Sequence, residues 1–312
     1  MSEPFRDRHK RAFFHSHLGF LRDYERQVSN CFLSGLAEGE KCGTVQRFRS
    51  RASLFVRYLE WDSDYFHVPV YRLEFAEWDE RLDDPVEALA RTLIEFKEEL
   101  SGRHDSYYFF SEAPTEDITL LQAMGLARIR LVETRLTYFR DNLEAFDRQE
   151  RSPVRMASAA DIPSLRKVAM EARNLYDRYH ADPFFPRSIA DDYLATFAEN
   201  SVLGFADVVM VPADGAPDPG GFFTAKLTRP EDSPVGLKLA HIVLVAVGAE
   251  RRGWHLRLLS EMSHYFKQSG VRIASMTTQS TNRPVIRNCE KLGYRYGRCT
   301  HVFATHSEVQ TL

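Results

Sequence analysis

An α/β fold, in which a mixed sheet is covered by helices, is predicted by three features of the sequence. Short alternating or apolar runs of strand character take turns with longer segments of helical spacing from about residue 52 onward. Helix boundaries are marked by residue type, as in Asp84 and Pro85 before "VEALARTLIEFKEELSG" and Gly102 after it. The chain has 312 residues, long for one core, so two domains are expected.

The elements follow in order. Residues 1–50 form a helical extension, because "RAFFHSHLGFLRDYERQVSNCFLSGLAEG" carries apolar residues at helical spacing. Its basic and aromatic content would suit a membrane surface or a polyanion. Acidic residues interrupt the basic face, which favours packing on the body or on a second subunit. Residues 51–145 read as a small α/β unit. "SLFVRYLEW", "VPVYRLEF", "YYFFSE" and "RLVETRLTYF" are its strands, "PTEDITLLQAMG" is a short helix, and Trp61 and Phe66 are expected in its core. "RDNLEAFDRQERSPV" is a polar linker.

Residues 153–312 read as the second domain. "VRMASAAD" is a strand and turn, and Asp161 caps "IPSLRKVAMEARNLYDRY". "ADDYLATFAENS" is a helix, and "FADVVMV" and "GGFFTAKL" are strands joined by a hairpin loop. "AHIVLVAV" is a nearly continuous apolar strand. "WHLRLLSEMSHYFKQSG" is an amphipathic helix, "VRIASMTTQ" a strand, "RPVIRNCEKLG" a helix and "HVFAT" a last strand. Strand–helix–strand connections of this kind require crossovers.

Composition narrows the function. Apolar content is 44%, charged content 27% and the formal net charge -3. That balance argues against an extended nucleic-acid footprint. No run approaches the ~18 apolar residues that cross a bilayer, and the first twenty residues lack the apolar stretch of a secretory signal. Cys31, Cys42, Cys289 and Cys299 are scattered without a CxxC pair, as expected of reduced thiols, so the protein is expected in the cytoplasm. No His, Cys, Asp or Glu set has ligand spacing, so no metal is expected.

Two segments carry candidate chemistry. In "HIVLVAVGAERRGWHLRLL" a strand enters a loop with Arg251, Arg252 and Gly253, and a helix begins at Trp254. This geometry aims backbone N–H groups and a helix dipole at one point, which suits a diphosphate; a plain strand-to-helix turn is the alternative. In "SMTTQSTN", Thr278, Gln279, Ser280 and Asn282 sit where the next strand ends. Polar side chains there bridge to a ligand between diverging strands, or else cap a turn locally.

Together the two segments resemble the GNAT superfamily of acyl-CoA-dependent N-acyltransferases. "ERRGWH" stands for that family's (Q/R)xxGx(G/A) loop and "NRPVIRNCEKLGY" for its closing Asn turn and "YEKLGF". Glu250 stands where Gln or Arg is usual, and His255 where a small residue is usual. A register shifted by two would put His255 on the key Gly. Gly253 is preferred, because its distance to Gly270 fits the family's helix. A narrower resemblance, over roughly residues 54–306, is to the dTDP-fucosamine acetyltransferase family. It rests on "LEWDSDYFHVPVYRLEF", "EDITLLQAMGLARIRLVETRLTYF", "DRYHADPFFP" and "TTQSTNRPVIR" in the family's order.

The resemblance implies a GNAT fold preceded by a trimmed GNAT-like unit. It also implies transfer of an acetyl group from acetyl-CoA to the amine of a nucleotide-linked amino-deoxysugar, and a homodimer. The alternatives are another small amine, amino acid or peptide as acceptor, or a CoA-binding protein with weak transfer. Val245, Val247, Arg251, Arg252, Gly253, Trp254, His255, Thr278 and Asn282 would hold the coenzyme. Cys289 replaces the family Tyr that protonates the leaving thiolate. Cys289 itself, Tyr294 or Tyr296, or no acid at all are the open readings, and a structural Cys is the bland one. His241 is the candidate base, with His180 and Asp182 as rivals. Arg178 and Tyr179 are candidates for a nucleotide phosphate and the sugar, and Asp62 and Asp64 for the acceptor's amine. Asn282 is also a candidate catalytic residue.

Overall fold

The structure, a computed structural model, describes residues 3–79 and 81–307 and divides into two compact units. The first comprises residues 1–135 and 298–312, and the second residues 136–297. Between residues 135 and 136 the division falls inside one strand, Arg130–Arg140.

The first unit opens with helices α1 (Glu3–His15) and α2 (Glu25–Cys42). Strands β1 (Gln46–Arg49) and β2 (Ser53–Tyr58) follow, then α3 (Glu60–Phe66), β3 (Val70–Glu77) and α4 (Pro85–Arg103). β4 (Tyr108–Pro114), α5 (Ile118–Leu126) and β5 (Arg130–Arg140) complete the run. The expected start of α4 is chemically sound, since the Asp84 carboxylate accepts the Glu87 N–H at 2.9 Å, and Asp117 caps α5 in the same way, accepting the Leu120 N–H at 3.1 Å. α1 and α2 are part of this unit, since Ala12, Leu36, Val45, Phe55 and Phe75 share one buried cluster. Leu54, Leu73, Leu89, Phe109 and Leu120 form a second cluster that includes α4 and α5.

Two expectations fail here. "SLFVRYLEW" does not continue as a strand beyond Tyr58, because the chain turns into α3. Trp61 is 44% exposed and stacks on Tyr65 along one helix face, so it is not core.

The second unit contains β6 (Val154–Met156), α6 (Ile162–Glu171), α7 (Arg178–Ala181), α8 (Arg187–Asn200) and β7 (Val208–Pro212). β8 (Gly221–Thr228), β9 (Leu239–Val247), α9 (Trp254–Gln268), β10 (Ile273–Gln279), α10 (Arg283–Lys291) and β11 (Arg295–His306) follow. Its strand order is β10-β9-β8-β7-β6, antiparallel except for the parallel β9–β10 pair. The end of β11 lies in the first unit, antiparallel to β4. Ala240, Ile242, Leu258, Leu259, Met262 and Phe266 share the cluster formed with α9, and Ala246, Val211, Phe222, Leu165 and Ala198 share that formed with α6 and α8. The segment expected as a polar linker contributes buried Leu143 and Phe146 to the α9 cluster.

Candidate active site

β9 and β10 run side by side for only four residue pairs, from Leu239↔Ile273 to Ile242↔Met276. β9 then continues to Val247 and β10 to Gln279 without pairing to each other. The cause is a bulge. β8 and β9 pair at Ala225↔Ile242 and again at Phe223↔Val245, so Val243 and Leu244 oppose Thr224 alone. Thr224 resolves the mismatch with its side chain: its Oγ1 accepts the Leu244 N–H at 2.9 Å and donates to the Leu244 carbonyl at 3.1 Å.

The extra residue reverses which way the backbone faces. Before the bulge, the Lys238 carbonyl faces β10 and accepts from the Arg272 N–H at 2.9 Å. After it, the Leu244 N–H faces β8, as does that of Gly248, which donates to the Gly220 carbonyl at 3.0 Å. Alternation therefore turns the N–H and C=O groups of Val245 and Val247 toward the gap. An unpaired buried backbone group costs ~1–3 kcal/mol, so such an edge calls for water or a ligand.

At the end of β9 the chain makes one tight turn, Ala249–Arg251, and enters α9. Gly253 is the N-cap, in the left-handed region at φ 92°, and no side chain caps the helix. A Cβ at Gly253 would meet nothing within 4 Å, so the space beside the N-cap itself is open. The helix start is held from behind by buried Trp254, Leu258 and Leu259, each worth ~1.5–3 kcal/mol of burial.

The two arginines differ. Arg251 turns back to the β7–β8 loop, where it pairs with Asp214 Oδ2 at 2.7 Å and donates to the Asp218 carbonyl at 2.7 Å. It pins that loop and does not face the helix start freely. Arg252 is exposed, as is Glu250 on the same turn. The His255 ring lies half-buried behind the first turn, 5.0 Å from the Phe223 ring, with Nδ1 3.0 Å from Asn288 Nδ2. Burial lowers its pKa to about 4, and its Nε2 has no hydrogen-bond partner.

The strand-end residues separate by face. Ser275, Thr277 and Gln279 alternate with Met276 and Thr278. On the Ser275 side, His241 Nδ1 lies 3.0 Å from Ser275 Oγ, Thr137 Oγ1 lies 3.0 Å from Thr277 Oγ1, and Asn174 Nδ2 donates to Gln279 Oε1 at 2.8 Å. Ser275 Oγ also donates to the Ala240 carbonyl at 3.5 Å. In the tautomer where Ser275 accepts from His241 Nδ1–H, Nε2 is the basic nitrogen. Thr278 is buried on the opposite face, and Asn282 is the N-cap of α10, though its side chain makes no capping bond. Ser275 and Thr224 were not singled out from the sequence, since each strand carries more than one hydroxyl.

Other expected site residues lie elsewhere. Cys289 is fully buried among Leu258, Leu259, Met262 and Tyr294, and burial pushes its thiol up to about 12. It is a core thiol that lines no open cleft. Tyr294 is also buried, with its hydroxyl 3.0 Å from Ser263 Oγ, and Tyr296 is 56% exposed. Much of the "DRYHADP" segment is paired within itself and with α8. His180 is held between Asp177 at 2.8 Å and Asp191 at 3.1 Å. Burial opposes its charge, but those two carboxylates outweigh it and raise its pKa. Arg178 is buried with its guanidinium 4.5 Å over the Tyr179 ring, and the Tyr179 hydroxyl donates to that of Tyr193 at 2.9 Å. Asp182 is buried and accepts the Phe184 N–H at 3.1 Å. Arg178 and Asp182 are thus buried, and Tyr179 and His180 are half-buried. Asp62 and Asp64 lie on α3 of the first unit.

Among the described residues, no group of three or more His, Cys, Asp or Glu is placed to hold a metal ion. No described helix is long and apolar enough to cross a membrane.

No family model matches the chain, and no curated protein matches it. Solved structures do. A GCN5-related N-acetyltransferase from Sphaerobacter thermophilus is 14% identical, with 88% of this chain and 85% of that one covered and a TM-score of 0.58. One from Kribbella flavida is 15% identical over 87% and 91%, with a TM-score of 0.51. A functionally unknown conserved protein from Staphylococcus epidermidis is 13% identical over 84% and 94%, with a TM-score of 0.55. At these identities the likeness concerns architecture, and the architecture of this chain is that of the GCN5-related N-acetyltransferases.

Proposed function

We propose that the protein transfers an acyl group, acetyl in the simplest case, from acyl-CoA to a primary amine by direct attack. The observation that carries this reading is the gap between β9 and β10, which opens toward an uncapped helix start. Amide-bearing and anionic parts of one extended ligand match these two features in order.

The residues fit acetyl-CoA as follows. The first-turn amides at Gly253–His255 and the exposed Arg252 would take the diphosphate, with Glu250 as an opposing charge. The backbone of Val245 and Val247 would pair with the pantetheine amides, beside Thr278 and Asn282. The bound thioester supplies the activated acyl carbon. A backbone N–H of β9 directed at its carbonyl oxygen stabilises the charge that develops there. His241 Nε2, oriented through Ser275, accepts the proton of the attacking amine. Because Cys289 and Tyr294 are buried, the thiolate leaves without a proton from either side chain; a thiolate is a tolerable leaving group.

The acceptor side is the face of His241, Thr277 and Gln279. The amino group of a nucleotide-linked amino-deoxysugar is the proposed acceptor on the strength of the sequence resemblance. Its phosphates would need partners other than buried Arg178. A homodimer and a cytoplasmic location belong to the same reading. Release of free CoA thiol with a panel of nucleotide-linked amino sugars and simple amines tests it. Amine-dependent release supports transfer, and acetyl-CoA binding without release by any amine would assign a binding protein instead.

A further inference from the structure

The device that parts β9 from β10 occurs a second time in the chain. In the first unit β2 and β3 pair at Val56↔Leu73 and then at Phe55↔Phe75, which leaves Glu74 as an extra residue. β3 and β4 run parallel from Val70↔Tyr108 to Leu73↔Ser111 and pair no further. α4 follows β3 and α5 follows β4, as α9 follows β9 and α10 follows β10. α1 and α2 precede the strands here as α6 and α8 do in the second unit. Ala76 therefore stands to Leu73 as Val245 stands to Ile242, and its backbone is the one turned to the gap.

In the first unit that position is taken. Arg11 of α1, itself buried, donates from Nη1 to the Ala76 carbonyl at 2.9 Å. Its guanidinium lies 3.7 Å over the Trp78 ring, and Arg8 one turn earlier pairs with Glu77. At the other wall of the gap, His15 Nε2 lies 2.9 Å from Asp117 Oδ2, the carboxylate that caps α5. The helix start is closed too. Asp84 caps α4 with its own carboxylate and Pro85 has no N–H to offer, whereas α9 begins at open Gly253. The Asp84 carboxylate itself puts negative charge at that helix start.

We infer that the first unit is a second copy of the coenzyme-binding unit, closed from within: α1 is the resident occupant of its cleft, and the chain takes one acyl-CoA, in the second unit only. The count of one rests on the proposed function, and the closure does not. This gives the first fifty residues a role, since they complete the copy and fill it.

Amide hydrogen exchange on the full chain, with and without acetyl-CoA, tests both parts, together with a calorimetric titration. Without ligand, residues 74–77 are expected to exchange more slowly than 243–247. Arg11→Ala is expected to speed exchange at 74–77 by about tenfold, the worth of one charged hydrogen bond, while 243–247 stay unchanged. Arg11→Lys, which keeps charge but loses the fork, is expected to fall between, and serves if the alanine variant does not fold. Acetyl-CoA is expected to protect 243–247 only, with one molecule bound per chain. Equal exchange at 74–77 and 243–247 in the free wild type, protection of 74–77 by acetyl-CoA, or two molecules bound per chain overturns the inference. If acetyl-CoA does not bind, the coenzyme reading fails, and slow exchange at 74–77 that depends on Arg11 still supports the closure.

Discussion

Ile242 and Met276 are the last residues at which β9 and β10 stand side by side, and each strand then runs on alone. The position of that last pair follows from the bulge one residue later, where Thr224 satisfies both backbone groups of Leu244. Thr224→Val keeps the shape and removes both bonds. It is expected to destabilise the chain by ~1–3 kcal/mol and to weaken acetyl-CoA binding more than tenfold, as read by chemical denaturation and calorimetry.

Gly253 holds φ 92° with open space beside it. Gly253→Ala imposes ~1–2 kcal/mol of left-handed strain, relieved by rotating the first-turn amides away. Acetyl-CoA affinity is expected to fall about tenfold, with only a small loss of melting temperature.

In the proposed proton transfer, His241 and Ser275, 3.0 Å apart, act as a pair. His241→Gln is expected to lower kcat about a hundredfold with acetyl-CoA affinity unchanged. Ser275→Ala is expected to cost less, because the imidazole remains and loses only its orientation. Steady-state kinetics beside a binding titration separates the two effects.

Cys289 packs in the core and donates no proton in this account. Cys289→Ala is expected to leave kcat within about twofold while costing ~1 kcal/mol of stability through the small cavity. In the native wild type, a thiol reagent is expected to modify exposed Cys31 and Cys42 and to spare Cys289.

His255 contributes pH dependence of known sign. Its folded pKa of about 4 lies below the ordinary value of 6.5, so the unfolded chain binds its proton first as pH falls. Stability is therefore full above pH ~6.5 and is lost between that pH and about 4, by up to ~3 kcal/mol. His255→Phe is expected to flatten that part of the stability–pH curve relative to wild type.

Much of the fold was legible because its markers are local. Asp84 announces α4 by capping chemistry and Gly253 and Gly270 bracket α9, whereas the Asp161 carboxylate pairs with Arg155 and the Ser158 N–H and makes no capping bond to α6. The parted strands were legible as a polar end, "TTQSTN", on an apolar strand. What could not be read depends on tertiary partners. "ERRG" promises two cations, but only the fold brings Asp214 to Arg251. "DRYHADP" offers a rich set of polar groups, and it is Asp177, Asp191 and Tyr193 that consume them. Position 289 carries a small thiol, and its place in the core follows from α10 lying against Leu258 and Met262. The role of α1 was invisible, since Arg11 and Ala76 are 65 residues apart.

A crystal structure of the full chain with acetyl-CoA tests the central claim most directly. The account predicts the pantetheine arm between β9 and β10 beyond Ile242 and Met276, and the diphosphate on the amides that follow Gly253. A coenzyme bound elsewhere, with β9 and β10 drawn together past those two residues, would contradict it.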